Sequence, residues 1–181
     1  MIYNDYNLCN APKRDGAVKL IKNLQKKGIK IDGVGIQAHW QLHTPSLSEI
    51  EESIIAFSNL GIKVMFTELD ISVLPNPWDL QGAEVSQNYK IFEGDKKMNP
   101  YPDNLPESMQ NKLAQRYRDI MKLFLKHEEK ISRVTFWGVT DKNSWLNDWP
   151  IKGRTNYPLL FDKNYKQKKA YNSVMNLKKI N

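Results

Sequence analysis

KVMFTELD, residues 63–70, joins a β-prone run to two carboxylates. Its first five residues form the third of four short segments that favour a strand, and Glu68 and Asp70 follow them. Because side chains alternate along a strand, Glu68 should share the face of Val64 and Phe66. If that face points into a barrel, Glu68 emerges at the rim, where it can act as base, metal ligand or nucleophile. On spacing alone, a salt-bridged structural glutamate is an equal alternative.

Segments with helical periodicity separate the four strand-like segments. The other strand-like segments are Ile2–Asn4, Gly33–Gln37 and Val134–Val139. Helices are predicted from about Pro12 to Gly28, Ser46 to Gly61, Glu107 to His127 and Lys168 to Leu177. Four strand–helix alternations predict βαβ units and a parallel sheet, in a single α/β domain covering 1–181. A small doubly wound sheet and half of a (β/α)8 barrel both fit, since a full barrel needs about 250 residues.

Polar and aromatic residues collect at the end of each predicted strand. They are Asn4, Asp5, Tyr6 and Asn7 after the first, Gln37, His39 and Trp40 after the second, Glu68 and Asp70 after the third, and Trp137, Thr140, Asp141, Lys142, Asn143 and Trp145 after the fourth. Loops at the carboxyl ends of parallel strands converge on one face, so we expect one site there.

A lone histidine such as His39 is more often structural than a ligand. The three histidines lack metal-binding spacing, so no metal is expected.

Aromatic residues are also frequent in the predicted rim loops. They are Tyr6, Trp40, Trp78, Trp137, Trp145, Trp149 and Tyr157. Rings beside Asn, Gln, Asp and Lys suit a sugar, whose apolar face stacks while its hydroxyls take polar partners. Stacking on nucleobases is the competing use, and a core position has about even odds for any one tryptophan.

Composition excludes several classes of protein. No apolar run approaches the ~20 residues that span a bilayer, so no membrane insertion is expected. The single cysteine, Cys9, excludes an intrachain disulfide. The net charge of +7 would suit a nucleic acid, but the lysines are spread along the predicted helices. Carboxylates at the predicted site would repel phosphate, so we expect no nucleic-acid partner.

Four motifs together resemble glycoside hydrolase family 10, the endo-1,4-β-xylanases built on a (β/α)8 barrel. They are Tyr3–Asn7 (YNDYN), Gly35–His39 (GIQAH), Thr67–Asp70 (TELD) and Thr135–Trp145 (TFWGVTDKNSW). They occur in the order of the family's strands five to eight, and the resemblance covers essentially the whole chain. The chain therefore resembles the C-terminal half of such a barrel.

The resemblance implies a role for each matching residue. Glu68 matches the catalytic nucleophile, and His39 and Asp70 match the residues hydrogen-bonded around it. Substrate-binding positions are implied for Asn4, Tyr6, Gln37, Trp137 and Trp145. The last two match the aromatic walls of the −1 sugar position. The family needs no cofactor, so none is expected.

The resemblance also implies that one half of the catalytic pair is missing. A retaining glycosidase uses two carboxyl groups, and the family's acid/base glutamate lies on strand four. No segment here resembles the Trp-Asp-Val-Val-Asn-Glu motif that carries it, and Asp5, Asp70 and Asp141 do not match it. We therefore expect a chain that is inactive alone and hydrolyses xylan with an N-terminal half-barrel. An inactive half-barrel that binds xylo-oligosaccharides is the alternative.

Two further expectations concern the surroundings of the chain. Residues 1–6 do not resemble a signal peptide, yet a polymeric substrate places the parent protein outside the cell or in the periplasm. A half-barrel would leave edge strands near Ile2 and Val134 and an exposed apolar inner face, so it should associate with a partner.

Overall fold

The computed structural model describes residues 1–77 and 89–177. The strands are β1 (Ile2–Asp5), β2 (Gly33–Ile36), β3 (His39–Gln41), β4 (Lys63–Ser72) and β5 (Ile131–Phe136). The helices are α1 (Ala11–Lys26), α2 (Leu47–Ser58), α3 (Glu107–Lys126) and α4 (Lys169–Met175). Short 3-10 turns cover Tyr89–Phe92, Asp141–Asn143 and Trp145–Asn147. The predicted alternation of strands and helices is confirmed, and none of the helices described could cross a membrane.

All strand pairs in the sheet are parallel, as the βαβ reading requires. β1 pairs with β2, β2 with β4, and β4 with β5, so these four strands form a partial α/β barrel wall. β4 is twice as long as predicted, and its last residues pair with the unpredicted strand β3. β5 begins and ends three residues before the predicted segment. Gly138, at a φ of 137°, follows the strand and turns the chain away from it.

Helix boundaries follow the local capping chemistry. Ser46 caps α2 by accepting a hydrogen bond from the Glu49 backbone, and the Glu49 side chain accepts from the Ser46 backbone in return. This reciprocal pair is the capping box that the sequence predicts. Asn10 caps α1, which ends before Gly28 at a φ of 76°.

One face of the sheet packs against the helices and forms the core. Val34, Ile36, Val64 and Phe66 are fully buried there. The ring of Phe66 stacks on that of Phe124 in α3, with centroids 4.0 Å apart. The helix layer therefore covers the apolar side of β2 and β4 and fixes the orientation of both strands.

The opposite, inner face of the sheet is open and only partly apolar. Gly33 and Gly35 of β2 lie beneath the side chains of Met65 and Thr67. Ile2 is 47% exposed on β1, next to the exposed Asn4 in the alternating pattern of that strand. The inner face was expected to be apolar. Polar side chains and glycines in fact share it with Ile2 and Met65, so the expectation is too simple.

Candidate active site

Three side chains from β3 and the second half of β4 form a hydrogen-bonded row. The Nδ1 atom of His39 lies 3.0 Å from Oδ1 of Asp70, and its Nε2 atom lies 3.1 Å from Oε2 of Glu68. The Asp70 side chain is buried, whereas those of Glu68 and His39 keep 15% and 21% of their exposure. Glu68 is therefore the end of the row that meets solvent, with the imidazole between the two carboxylates.

Strand pairing explains why these three residues meet. His39 lies directly opposite Asp70 in the parallel ladder between β3 and β4. The pairing of β4 with β5 shifts in register between Phe66 and Leu69, which marks a bulge at Glu68. Glu68 was expected to share the face of Val64 and Phe66. That expectation is wrong, because Val64 and Phe66 face the helices and not the barrel interior. Glu68 reaches the rim because the bulge interrupts the alternation of side chains.

The indole of Trp145 holds the buried end of the row. Its Nε1 atom donates a hydrogen bond of 2.8 Å to Oδ2 of Asp70, so both oxygens of this carboxylate have a partner. The rings of Trp145 and His39 also meet edge to face, with centroids 4.8 Å apart. Asp70 therefore fixes an imidazole and an indole in one arrangement.

Burial and contacts within the row shift the pKa values of Asp70 and His39. Burial raises the pKa of Asp70 above 3.8, and the hydrogen bonds from His39 and Trp145 offset this only in part. Burial alone would lower the pKa of His39, but hydrogen bonds and charges from Asp70 and Glu68 outweigh it and raise the pKa above 6.5. Below that pKa both ring nitrogens of His39 donate, one to each carboxylate.

Asn4, at the end of β1, contacts the other oxygen of Glu68. Its Nδ2 atom lies 3.5 Å from Oε1 of Glu68, and its Oδ1 atom accepts a hydrogen bond of 2.8 Å from the Thr67 hydroxyl. Asn4 is among the residues that the sequence predicts for the site, whereas Thr67 is not. The signal was available, since Thr67 precedes Glu68 on the strand and carries a side-chain donor.

Trp137 lies beside the row at the surface, whereas Trp145 lies at its buried end. Trp137 is 46% exposed, and its ring centroid lies 6.2 Å from that of His39. Trp149 extends this aromatic surface, with its ring 4.9 Å from that of Trp145. Trp40 and Tyr157, by contrast, are buried core residues, so the structural alternative holds for both. Trp78 lies outside the described residues.

Tyr6 and Gln37 lie near the row without a described bond to it. Tyr6 is 57% exposed, and the ammonium of Lys13 lies 3.3 Å from the centre of its ring. The half-buried Gln37 lies between β2 and β3, and its backbone N–H donates to the carbonyl of Asp5 at 3.0 Å. Both residues occupy the predicted rim, and their roles remain predictions.

The other two rim carboxylates are engaged elsewhere. Asp5 accepts hydrogen bonds from the Tyr3 hydroxyl at 2.7 Å and from Lys13 at 2.9 Å. Asp141 accepts from the Lys168 ammonium at 2.8 Å and from the Leu159 backbone at 2.9 Å. Neither carboxylate is therefore available as the second group of a catalytic pair.

A cleft of about 70 Å³ opens beside His39 and Asp70. Its other lining residues include Gln41, Ser72, Trp145 and Trp149. Among the residues that the structure describes, no cluster of His, Cys, Asp and Glu could hold a metal ion. The site thus combines one partly exposed carboxylate with an aromatic wall and uncharged polar groups.

Several known proteins are similar to this chain in sequence. The chain is 46% identical over 98% of its length to "Endo-1,4-beta-xylanase A" of Xylanibacter ruminicola, and 38% identical over 98% to "Endo-1,4-beta-xylanase" of Geobacillus stearothermophilus. These matches cover 47% and 48% of the two proteins, so the chain spans about half the length of the curated relatives it matches.

Solved structures give the same result. A family 10 endoxylanase retrieved from a sugarcane soil metagenome superposes with a TM-score of 0.86 at 48% identity, over 96% of this chain and 48% of that one. Xylanase B from Clostridium stercorarium F9 gives a TM-score of 0.81 at 35% identity, over 97% of this chain and 46% of that one. The family model "Glycosyl hydrolase family 10" matches residues 1–177. The chain belongs to glycosyl hydrolase family 10.

Proposed function

We propose that this chain is one half of a retaining endo-1,4-β-xylanase in which Glu68 is the nucleophile. The observation that carries the proposal is the row of Glu68, His39 and Asp70 at the strand ends of a family 10 chain. The substrate class, xylan, follows from the relatives, which are named as xylanases. Trp137 and Trp145 offer the faces on which a xylose ring would stack.

The row suits a nucleophile because its hydrogen bonds hold the Glu68 carboxylate in one orientation. An oxygen of Glu68 attacks the anomeric carbon while the bond from that carbon to the leaving oxygen breaks. The N–H of His39 fixes one oxygen of Glu68, and Asp70 holds the imidazole from behind. Water then attacks the glycosyl-enzyme, which releases Glu68 and gives a product with retained configuration.

The same reaction needs an acid that protonates the leaving oxygen and later activates water. That group should lie about 5–5.5 Å from Glu68. Asp5 and Asp141 already have cationic partners, and Asp70 is buried behind His39. We therefore assign the acid to a complementary half-barrel, in line with relatives that are about twice as long.

The sheet has two places where such a half would dock. Within residues 1–77 and 89–177, β1 and β5 each pair on one side only, so both present unpaired backbone groups to a further parallel strand. Beside β5 lies an apolar groove of about 500 Å³. Its lining includes Met121, Leu125, Ile131, Val134, Val174 and Met175. A strand–helix unit would pair with β5 and place its apolar helix face in this groove.

The alternative proposal is a half-barrel that binds xylo-oligosaccharides without cleaving them. It is favoured by the single available carboxylate, Glu68, beside an exposed aromatic wall. For either function, we propose that the parent protein works outside the cell or in the periplasm, where polymeric xylan is found.

Reconstitution tests the two functions. The chain would be mixed with the N-terminal half of the Xylanibacter ruminicola relative, and reducing sugar released from soluble xylan would be measured. We expect activity only in the mixture and a loss of at least ~10³-fold in Glu68→Gln, because attack then lacks its nucleophile. Glu52→Gln, on the outer surface of α2, is the matched control and should keep full activity.

A second readout identifies the role of Glu68. In the mixture carrying Glu68→Gly, azide should restore turnover of an activated xyloside and give the inverted glycosyl azide, because azide replaces the missing carboxylate. Rescue with a retained product, or activity of the unmixed chain, would contradict the proposal. Binding of xylohexaose without activity in any mixture would favour the binding half-barrel.

A further inference from the structure

A chain of polar contacts crosses the inner face of the sheet and ends at Glu68. The Thr67 hydroxyl on β4 donates to Oδ1 of Asn4 on β1 at 2.8 Å, and Nδ2 of Asn4 points to Oε1 of Glu68 at 3.5 Å. β1 and β4 are not neighbours, because β2 lies between them and pairs with both. The contact between Thr67 and Asn4 therefore passes over an intervening strand.

Gly35 makes this crossing possible. It lies opposite Asn4 in the ladder between β1 and β2. A Cβ atom at Gly35 would collide with Oδ1 of Asn4 and would lie 2.9 Å from Cγ2 of Thr67. Side chains on adjacent strands normally separate residues two strands apart, so only a glycine here lets Asn4 and Thr67 meet.

The donor at Thr67 sets which end of the Asn4 amide faces Glu68. With its oxygen bound to the hydroxyl, the amide presents its N–H₂ group to the carboxylate. The reversed amide would place Oδ1 against Oε1 of Glu68, and two acceptors repel each other. His39 already binds the other oxygen of Glu68, so the pair of contacts orients both oxygens of that carboxylate.

We propose that Thr67 is a positioning residue for Glu68, acting through the amide of Asn4 across the gap left by Gly35. The proposal deepens the proposed function, since it explains how the assigned nucleophile is oriented. The 3.5 Å contact between Asn4 and Glu68 is long, and such contacts shorten when substrate closes the site. Loss of the Thr67 hydroxyl should therefore lower kcat and leave KM nearly unchanged.

The first test uses the isolated chain and does not depend on activity. The side-chain amide of Asn4 would be followed by ¹⁵N NMR and assigned with Asn4→Ala. Thr67→Val keeps the shape of the side chain but removes its hydroxyl, whereas Thr67→Ser keeps the hydroxyl. We expect the two Asn4 amide proton shifts to converge, and their exchange with solvent to quicken, in the valine variant only. An Asn4 signal that does not change in Thr67→Val would overturn the proposal.

The second test measures kinetics in the reconstituted barrel, the mixture of this chain with the N-terminal half of the Xylanibacter ruminicola relative. We expect Thr67→Val to lower kcat about tenfold at constant KM, and Thr67→Ser to restore at least half of the wild-type rate. Equal losses in both variants, or a rise in KM alone, would contradict a positioning role. An inactive wild-type mixture would count against the proposed function, and the NMR result would still decide the contact. Circular dichroism melting checks that both variants fold.

Discussion

Asp70 in the second half of β4 and Asp141 beyond the end of β5 are two buried carboxylates, and the sequence places both on the same rim. Asp70 takes its hydrogen bonds from an imidazole and an indole, and the imidazole connects it to Glu68. Asp141 takes its bonds from the Lys168 ammonium and a backbone N–H. Asp70 therefore belongs to a row that ends at the partly exposed Glu68, whereas Asp141 belongs to a buried ion pair.

The difference shows that the partners of a buried carboxylate indicate its role better than its position. Lys168 also donates to the carbonyl of Tyr157 at 2.8 Å, so the ion pair ties the rim loop to the segment before α4. Burial raises the pKa of Asp141 to about 6 although Lys168 opposes the shift. A buried lysine paired with one carboxylate suits a structural anchor, whereas an imidazole between two carboxylates suits a site that must orient a reacting group.

The largest effect is expected from Lys168→Met. At pH 7.5 it should lower the free energy of unfolding by about 3 kcal/mol, because the ionised Asp141 loses its buried counterion. The penalty should shrink as the pH falls toward about 6 and stay small below it, because Asp141 is then protonated with or without Lys168 and needs no cation. Urea denaturation at pH 7.5 and pH 5 measures both values.

The neighbouring lysine supplies the control for this experiment. Lys169 forms an exposed ion pair with Glu107 at 2.5 Å, so Lys169→Met should cost less than about 1 kcal/mol at either pH. If Lys168→Met cost no more than its neighbour, Asp141 would not be a structural anchor and the comparison with Asp70 would fail.

Asp70→Asn should have a smaller effect on stability and a clear effect on activity. An asparagine can still accept from His39, but its amide then faces the indole N–H of Trp145, which loses its acceptor. We expect a loss of about 1–2 kcal/mol in unfolding free energy and a 10- to 100-fold fall in kcat of the reconstituted barrel. Asp119→Asn in α3 should change neither value, because an asparagine can still accept the hydrogen bond from Gln115.

The sequence predicts the fold class and the set of residues at the rim for physical reasons that are local. Helical periodicity and the capping box at Ser46 mark α2, and the glycines after α1 and α2 mark their ends. The alternation of strands and helices predicts that the polar residues after each strand-like segment collect on one rim. These features depend on neighbours in the chain, so they can be read without the structure.

The remaining features depend on contacts between distant residues. The strand β3 exists because His39 pairs with Asp70, and the bulge at Glu68 appears only against β5. The same holds for the contact of Thr67 with Asn4, which requires a glycine on a third strand. No local pattern distinguishes Asp70 from Asp141, because their hydrogen-bond partners lie 18 or more positions away.

The smallest effect concerns the pKa of His39, which depends on the charges of Asp70 and Glu68. Its pKa should lie above 6.5, and Asp70→Asn should lower it more than Glu68→Gln, because Asp70 contributes more to the upward shift than Glu68 does. A raised histidine pKa adds stability that is complete below about 6.5 and is lost as the pH rises through the folded value. NMR titration of the imidazole measures the pKa in each variant, with Glu52→Gln as a control that should not change it. A His39 pKa below 6.5, or an equal response to both substitutions, would mean that the imidazole is not held mainly by Asp70, and the distinction drawn between the two buried carboxylates would lose its basis.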